Sequence, residues 1–301
     1  MTLRAIAYPW PWRVAGALLV AISRTTLPVL LALLVFSRNP PILPLMLMLM
    51  RAFTILVVTP ALAAWIIERA FAAHVEIDSD ALVLRLRGRR VEVPTTAVAH
   101  VRPWIVPLPG SGVSLRLTSG RRLRYGLQLP DPSRVLTALA AATRDSATPT
   151  SAAESTVGGA STLDADATLR QPSVAYARAK HAGGARRWWH PIAQYPLFAL
   201  VPTLPLFRVH QWIAFGGTWG QWYLESPAAY LRTFALYWAT LTIYVLLYAG
   251  FLRGIAEGVA LAAAWVAPSR VARVRPTVEC AYRVLYYGGV PVFVIMRLWP
   301  W

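Results

Sequence analysis

Apolar and polar positions follow three successive patterns along this chain. Trp12–Phe36 and Leu45–Ile67 are nearly continuous apolar runs. About 20 residues cross a hydrocarbon core, so each run is long enough to span a bilayer. Ser23, Arg24 and Pro28 interrupt the first, and Arg51 and Pro60 lie within the second. Ser37-Arg38-Asn39-Pro40-Pro41 between them reads as a turn, because consecutive prolines cannot continue a helix. Residues 1–67 are therefore expected to form a transmembrane hairpin.

The period then falls to two. Leu82, Leu84 and Leu86 alternate with Val83, Arg85 and Arg87, and Val91 and Val93 continue after a turn at Gly88. Such alternation predicts half-buried strands. Val98–Ile105 reads as a further strand. Val113, Leu115 and Leu117 alternate with Ser114, Arg116 and Thr118, Ser119-Gly120 is a hairpin signal, and Leu123 and Tyr125 alternate with Arg122 and Arg124. Asp131-Pro132 is the signature of a capped helix start, with Val135, Leu136 and Leu139 on one face of the helix that follows. Residues 68–144 thus predict five or six antiparallel strands closed by one helix.

Residues 145–185 are Ser, Thr, Ala, Gly and Asp with few large apolar side chains. Such a stretch buries too little surface to offset the entropy of ordering, which predicts a disordered linker. The apolar pattern then returns over 186–301. Ile192–Phe207, broken by Pro196, Pro202 and Pro205, predicts a short or broken span, and Ala228–Leu252 is a clean one. Ile255–Val266 is too short to cross and reads as an extension of that helix, and Tyr282–Trp299 is the last candidate. Between the first two lies an aromatic, glycine-containing loop, 208–226. The fold class expected is an α-helical integral membrane protein of about five spans with a small inserted cytoplasmic β domain.

Composition agrees with a membrane protein. The 301 residues are 56% hydrophobic and only 14% charged, against about 25% charged in soluble domains. Cys280 is the sole cysteine, so neither an internal disulfide nor a Cys/His zinc cluster can form. Thirty Lys+Arg against 13 Asp+Glu give a net charge of +17, and Lys180 is the only lysine. In a membrane protein an arginine excess marks cytoplasmic segments. The N-terminus and residues 68–190 are accordingly expected in the cytoplasm, and loop 208–226 and the C-terminus outside, in a bacterial inner membrane.

The stretch from about Glu76 to Thr143 resembles the bacterial pleckstrin-homology-like (bPH) domain of small membrane proteins. The resemblance rests on the run VEIDSDALVLRLRGRRVEVPTTAVAHV, then GVSLRLTSGRRLRYGL, then the capped helix from Asp131. In that family a transmembrane hairpin leads directly into the domain. The resemblance implies a seven-stranded PH-like fold with a C-terminal helix and carries no catalytic signature. The half from Trp188 onward resembles no family.

Two sets of residues are candidate sites. On a strand meander, Arg85, Arg87, Arg116, Arg122 and Arg124 fall opposite the leucines. They read as a solvated cytoplasmic face or as a contact for anionic lipid head groups or a membrane-protein partner. Aromatic side chains are not interleaved with them, which argues against nucleic acid. Arg208, His210, Trp212, Trp219, Trp222 and Glu225 read as interfacial side chains or as an external pocket. Glu76, Asp78 and Asp80 read as a turn rather than a cation site, so no metal or cofactor is expected. Phosphate-loop, nucleophile-elbow and His-Glu-x-x-His motifs are absent from the sequence. The expected function is a non-enzymatic scaffold or regulatory membrane protein. The alternatives are a transport or export component, or a membrane enzyme acting on lipid-linked substrates.

Overall fold

A computed structural model describes residues 2–36, 43–78, 81–146, 168–184 and 189–298. It is mostly helical, with one curled antiparallel sheet of seven strands in the order β4-β3-β2-β1-β7-β6-β5. The strands are β1 Thr2–Pro9, β2 Ala72–Ile77, β3 Ala81–Leu86, β4 Arg89–Pro94, β5 Val98–Pro103, β6 Gly112–Leu117 and β7 Tyr125–Gln128. Gly88 and Gly120 sit at φ +79° in the β3–β4 and β6–β7 connections, a left-handed conformation open to glycine without a Cβ penalty. The alternation read from the sequence therefore locates most of the sheet.

The exception is β1, which lies outside the span of residues read as the β domain. It occupies the centre of the sheet, pairing with β2 through Ile6↔Ala72 and Leu3↔Val75, and with β7 through Ile6↔Gln128 and Ala7↔Leu127. The whole helical hairpin is thus an insertion between β1 and β2. Its helices are α1 Trp10–Phe36, α2 Leu43–Phe53 and α3 Thr59–Ala70, the last two joined by a π-helical turn, Thr54–Val58. Pro60 has no N–H to donate into that stretch, and the backbone opens to a wider turn just before it. Ser23, which interrupts the first apolar run, donates its hydroxyl to Val57 O of this turn at 3.1 Å. Tyr8 and Trp12 face Phe71 with ring centroids 6.0 and 5.8 Å apart, where the chain leaves β1 and returns to β2.

The sheet's core holds Ala5, Ala7, Val75, Leu82, Leu84, Val113, Leu115 and Leu127, covered by Val135, Leu136 and Leu139 of α4, Pro132–Ser146. Asp131 caps α4 as expected, its Oδ1 accepting from Ser133 N at 3.0 Å. Val174 joins the same core from α5, Pro172–Ala182. This corrects the linker expectation. Residues 147–167 lie outside the described residues, but 168–184 are ordered. On α5 Val174, Tyr176 and Ala177 are buried, and Tyr176 and Ala179 pack with Ala260, Ala264 and Val271. One valine and one tyrosine at suitable positions supply enough contact for an alanine-rich turn sequence to fold.

In the C-terminal half, a helical turn His190–Ile192 and a π turn Ala193–Leu197 lead into α6, Phe198–Phe215. Then follow α7 Gly220–Leu224, α8 Pro227–Val266 and α9 Val271–Leu298. The stretch expected to form a short or broken span is helical from His190 to Phe215, with a π turn around Pro196 and an α-helix that runs through Pro202 and Pro205. Among the described residues four helical stretches are long and apolar enough to cross a membrane: Trp10–Phe36, Pro44–Ala70, His190–Phe215 and Pro227–Val266. The fifth expected span, Tyr282–Trp299, falls in α9 up to Leu298, and residues 299–301 lie outside the described residues. Among the described residues α9 does not qualify, since Arg283, its tyrosines and Gly288-Gly289 dilute its apolar character.

Contacts group the chain into two units. One contains the sheet with α4, α5 and residues 258–278; the other contains residues 22–60, 185–257 and 279–301.

A basic cleft on the sheet and an amide-centred aromatic cluster

All five arginines read from the alternation are exposed and opposite the core. The strand order divides them. Arg85 and Arg87 belong to β3 and its following turn, Arg116 to β6, and β2, β1 and β7 intervene. Four strand spacings amount to about 19 Å, well beyond the screening length of about 8 Å at physiological salt. In strand order Arg85 and Arg87 therefore fall on one part of the sheet and Arg116 and Arg122 on another. Arg85 is also compensated, with Nη2 3.0 Å from Glu76 Oε2. Arg90 pairs with Glu92, and Arg134 lies 3.5 Å from Asp131. Arg124 precedes β7 and lines neither pair.

The other basic region is a cleft of about 570 Å³ at the β5–β6 edge. His100 pairs with Arg116 and Arg102 with Ser114 across the two strands, so these four side chains share the outer face. Arg122 forms a β-bridge with Arg116. Arg13, from the first turns of α1, completes the lining.

Trp104 organises this cleft, and two glycines position it. A Cβ on Gly112 or on Gly126 would come within 2.9 Å of the Trp104 ring. With neither present, the indole lies against the backbone of β6 and β7 and is 4% exposed. Its Nε1 donates to Ser114 Oγ at 2.9 Å, which satisfies the one polar atom it buries. The Arg13 guanidinium stacks over the ring, 3.6 Å from the centroid. Sheet, indole and guanidinium thus form three layers, and a charge from α1 is held at a fixed point above the strands. Apolar Ile105 and Val106 continue the lining and are 56% and 55% exposed. Beside the sheet entrance, burial and the Glu68 carboxylate push the Tyr8 phenol well above its usual range.

The structure also reorganises the second candidate set. Residues 208–215 are helical, not loop, because α6 runs on to Gly216, whose φ of +71° ends it. Only 216–219 and 225–226 are non-helical. Arg208 and Trp212 remain exposed, while His210 packs on Tyr237 with centroids 5.1 Å apart, and Trp219 and Trp222 pack on Tyr230 at 5.2 and 5.7 Å. At the centre instead are Gln211 and Gln221. Gln211 Nε2 donates to Gln221 Oε1 at 2.9 Å, and Gln221 Nε2 donates to Glu225 Oε2 at 2.8 Å and Thr233 Oγ1 at 3.1 Å. Gln211 is fully buried. This network joins α6, α7 and α8 and reads as a structural tie.

A third charged cluster lies outside both candidate sets. Arg253 Nη1 contacts both carboxylate oxygens of Glu279 at 2.8 Å, and Nη2 contacts Glu257 Oε1 at 2.8 Å. Glu257 follows Arg253 by one helical turn, which was legible; the bidentate partner from α9 was not. Among the described residues no group of three His, Cys, Asp or Glu side chains is placed to hold a metal.

No protein-family model, curated protein or solved structure matches this chain, so its reading rests on geometry.

Proposed function

We propose that the chain is a non-enzymatic integral protein of a bacterial inner membrane. In this reading a PH-like sheet domain is held at the cytoplasmic membrane face, contacts anionic phospholipid, and serves as a scaffold or regulatory partner for another membrane protein. The observation that carries the reading is the insertion of the apolar hairpin between β1 and β2. These strands pair with one another, so both ends of the hairpin lie on one side of any bilayer it crosses. The sheet is consequently tethered at both ends of the hairpin, within reach of head groups. Seven antiparallel strands followed by a helix support the PH-like assignment. The arginines on the outer face support cytoplasmic placement and contact with anionic lipid, at about 1 kcal/mol per basic residue near such a surface.

Hydrogen exchange on the full-length protein in nanodiscs tests this. Phosphatidylglycerol added to phosphatidylcholine should slow exchange around residues 85–90 and 116–124, and salt should reverse it, because exposed contacts are screened. Replacing Arg85, Arg87 and Arg124 by glutamine should reduce the protection. Identical exchange in neutral and anionic discs would remove the lipid contact.

A further inference from the structure

We propose that the β5–β6 cleft is a site for a terminal phosphate group, a phosphomonoester or diphosphate, rather than a general region of positive potential. This rests on the membrane reading above and names the ligand chemistry of its most basic site.

The first argument is uncompensated charge. Arg13, Arg102, Arg116 and Arg122 line the cleft together with His100, and among the described residues no carboxylate lines it. Arg85, Arg90 and Arg134 elsewhere on this domain each have an acidic partner. Among the described residues no carboxylate pairs with Arg102, Arg116 or Arg122. Like charges directly opposite across strands are destabilising, yet Arg116 faces Arg122 across a β-bridge. An anion between these side chains turns that repulsion into attraction.

The second argument is preorganisation. Stacking on Trp104 fixes Arg13, and Trp104 is itself fixed by Ser114 and by the space at Gly112 and Gly126. A guanidinium held in one orientation presents its planar fork to a phosphate with little further loss of freedom.

The third argument concerns charge number. A phosphodiester carries one negative charge, whereas a monoester carries about 1.5 to 2 at neutral pH. Four guanidinium groups reward the larger charge. The apolar lip of Ile105 and Val106 suits a hydrocarbon chain attached to that phosphate, and the same polar chemistry also accepts a soluble phosphate compound.

The test uses full-length protein in detergent–lipid micelles at fixed ionic strength, read by thermal unfolding. Phosphatidic acid at about 10 mol% is compared with phosphatidylglycerol at about 20 mol%, matched in charge through their head-group ionisation. Inorganic pyrophosphate without anionic lipid is a separate arm. Phosphatidic acid should stabilise more than phosphatidylglycerol at matched charge, with an apparent affinity at least about tenfold higher, the scale of one added charge-assisted contact. Pyrophosphate should compete with it. Stabilisation by pyrophosphate alone points to a soluble ligand; stabilisation only by phosphatidic acid points to a lipid one; both support a phosphate site. Arg102→Gln with Arg116→Gln should erase the preference while leaving the smaller response to phosphatidylglycerol. Equal responses to the two lipids, with no competition by pyrophosphate, overturn the phosphate site and leave general lipid contact standing. No response to any anionic lipid overturns the membrane-contact reading itself. Wild-type competition by pyrophosphate decides the matter even if the double variant folds poorly.

Discussion

Gly112 and Gly126 matter for the side chain they admit. Alanine at 126 would place a Cβ 2.9 Å from the Trp104 ring, so the indole must lift and take Arg13 with it. Overpacking of this kind costs about 1–3 kcal/mol, and Gly126→Ala should lower the unfolding midpoint of the full-length protein accordingly. It should also weaken the phosphatidic acid response, whereas Gly88→Ala, strained at φ +79° but in the β3–β4 turn away from the β5–β6 edge, should lower stability while leaving that response intact. Gln221 allows a second residue-level prediction. Gln221→Leu removes the acceptor of Gln211 Nε2, on a side chain that is fully buried, and an unsatisfied buried polar group costs about 1–3 kcal/mol. The double replacement with Gln211→Leu should therefore be less destabilising than the two single losses added together, as read by thermal unfolding of all three variants. At this scale the sequence was only partly informative. Arg116 and Arg122 were legible because alternation fixes their face. Arg13 was not, because it sits at the mouth of an apolar run and reaches the cleft only through tertiary packing.

Elements were legible where large aliphatic residues carry the period, as in β3 and β6. β1 was missed because its buried positions are Ala5, Ala7 and Tyr8, a weak apolar signal placed next to a strong one in α1. Its position at the sheet centre is a long-range pairing that no local pattern encodes. Ala7 N nevertheless donates to Phe71 O at 2.9 Å. Ala7→Pro removes that donor from a central strand, where proline is not tolerated. Limited proteolysis should then cut within residues 72–128 while the hairpin helices stay protected. Unchanged digestion would show that the sheet survives without β1. The α5 segment was missed for the opposite reason: most of its residues are small, and two contacts decide its fate. Val174→Asp places a charge in a position 1% exposed and should expose 168–184 to protease first, with the sheet following.

For the whole molecule, pairing of β1 with β2 constrains topology more tightly than arginine counting. Cysteines introduced at Thr2 and at Ser119, each in a Cys280→Ser background, should react with impermeant thiol reagents from the same side of sealed vesicles. Opposite-side labelling would mean that the two strands cannot be paired in the membrane-inserted protein. α8 has 40 residues, a length of about 60 Å, against a hydrocarbon core of about 30 Å. Its C-terminal part therefore extends beyond any bilayer its first half crosses, and Ala260 and Ala264 on that part meet Tyr176 and Ala179 of α5.

Central placement of the first strand also fixes an order of events during synthesis. Ile6 leaves the ribosome first, yet its partner Gln128 follows roughly 120 residues later. At about 5–20 residues per second this is a delay of ~6–24 s, during which α1, α2 and α3 are synthesised. Until β2 is made, the eight residues of β1 are a nascent strand with both edges open, and from then until β7 arrives one edge stays open, a state prone to pairing with a wrong partner. The sheet can therefore close only after β7, which follows the whole helical hairpin and five other strands in the chain, has been made and has reached back to β1.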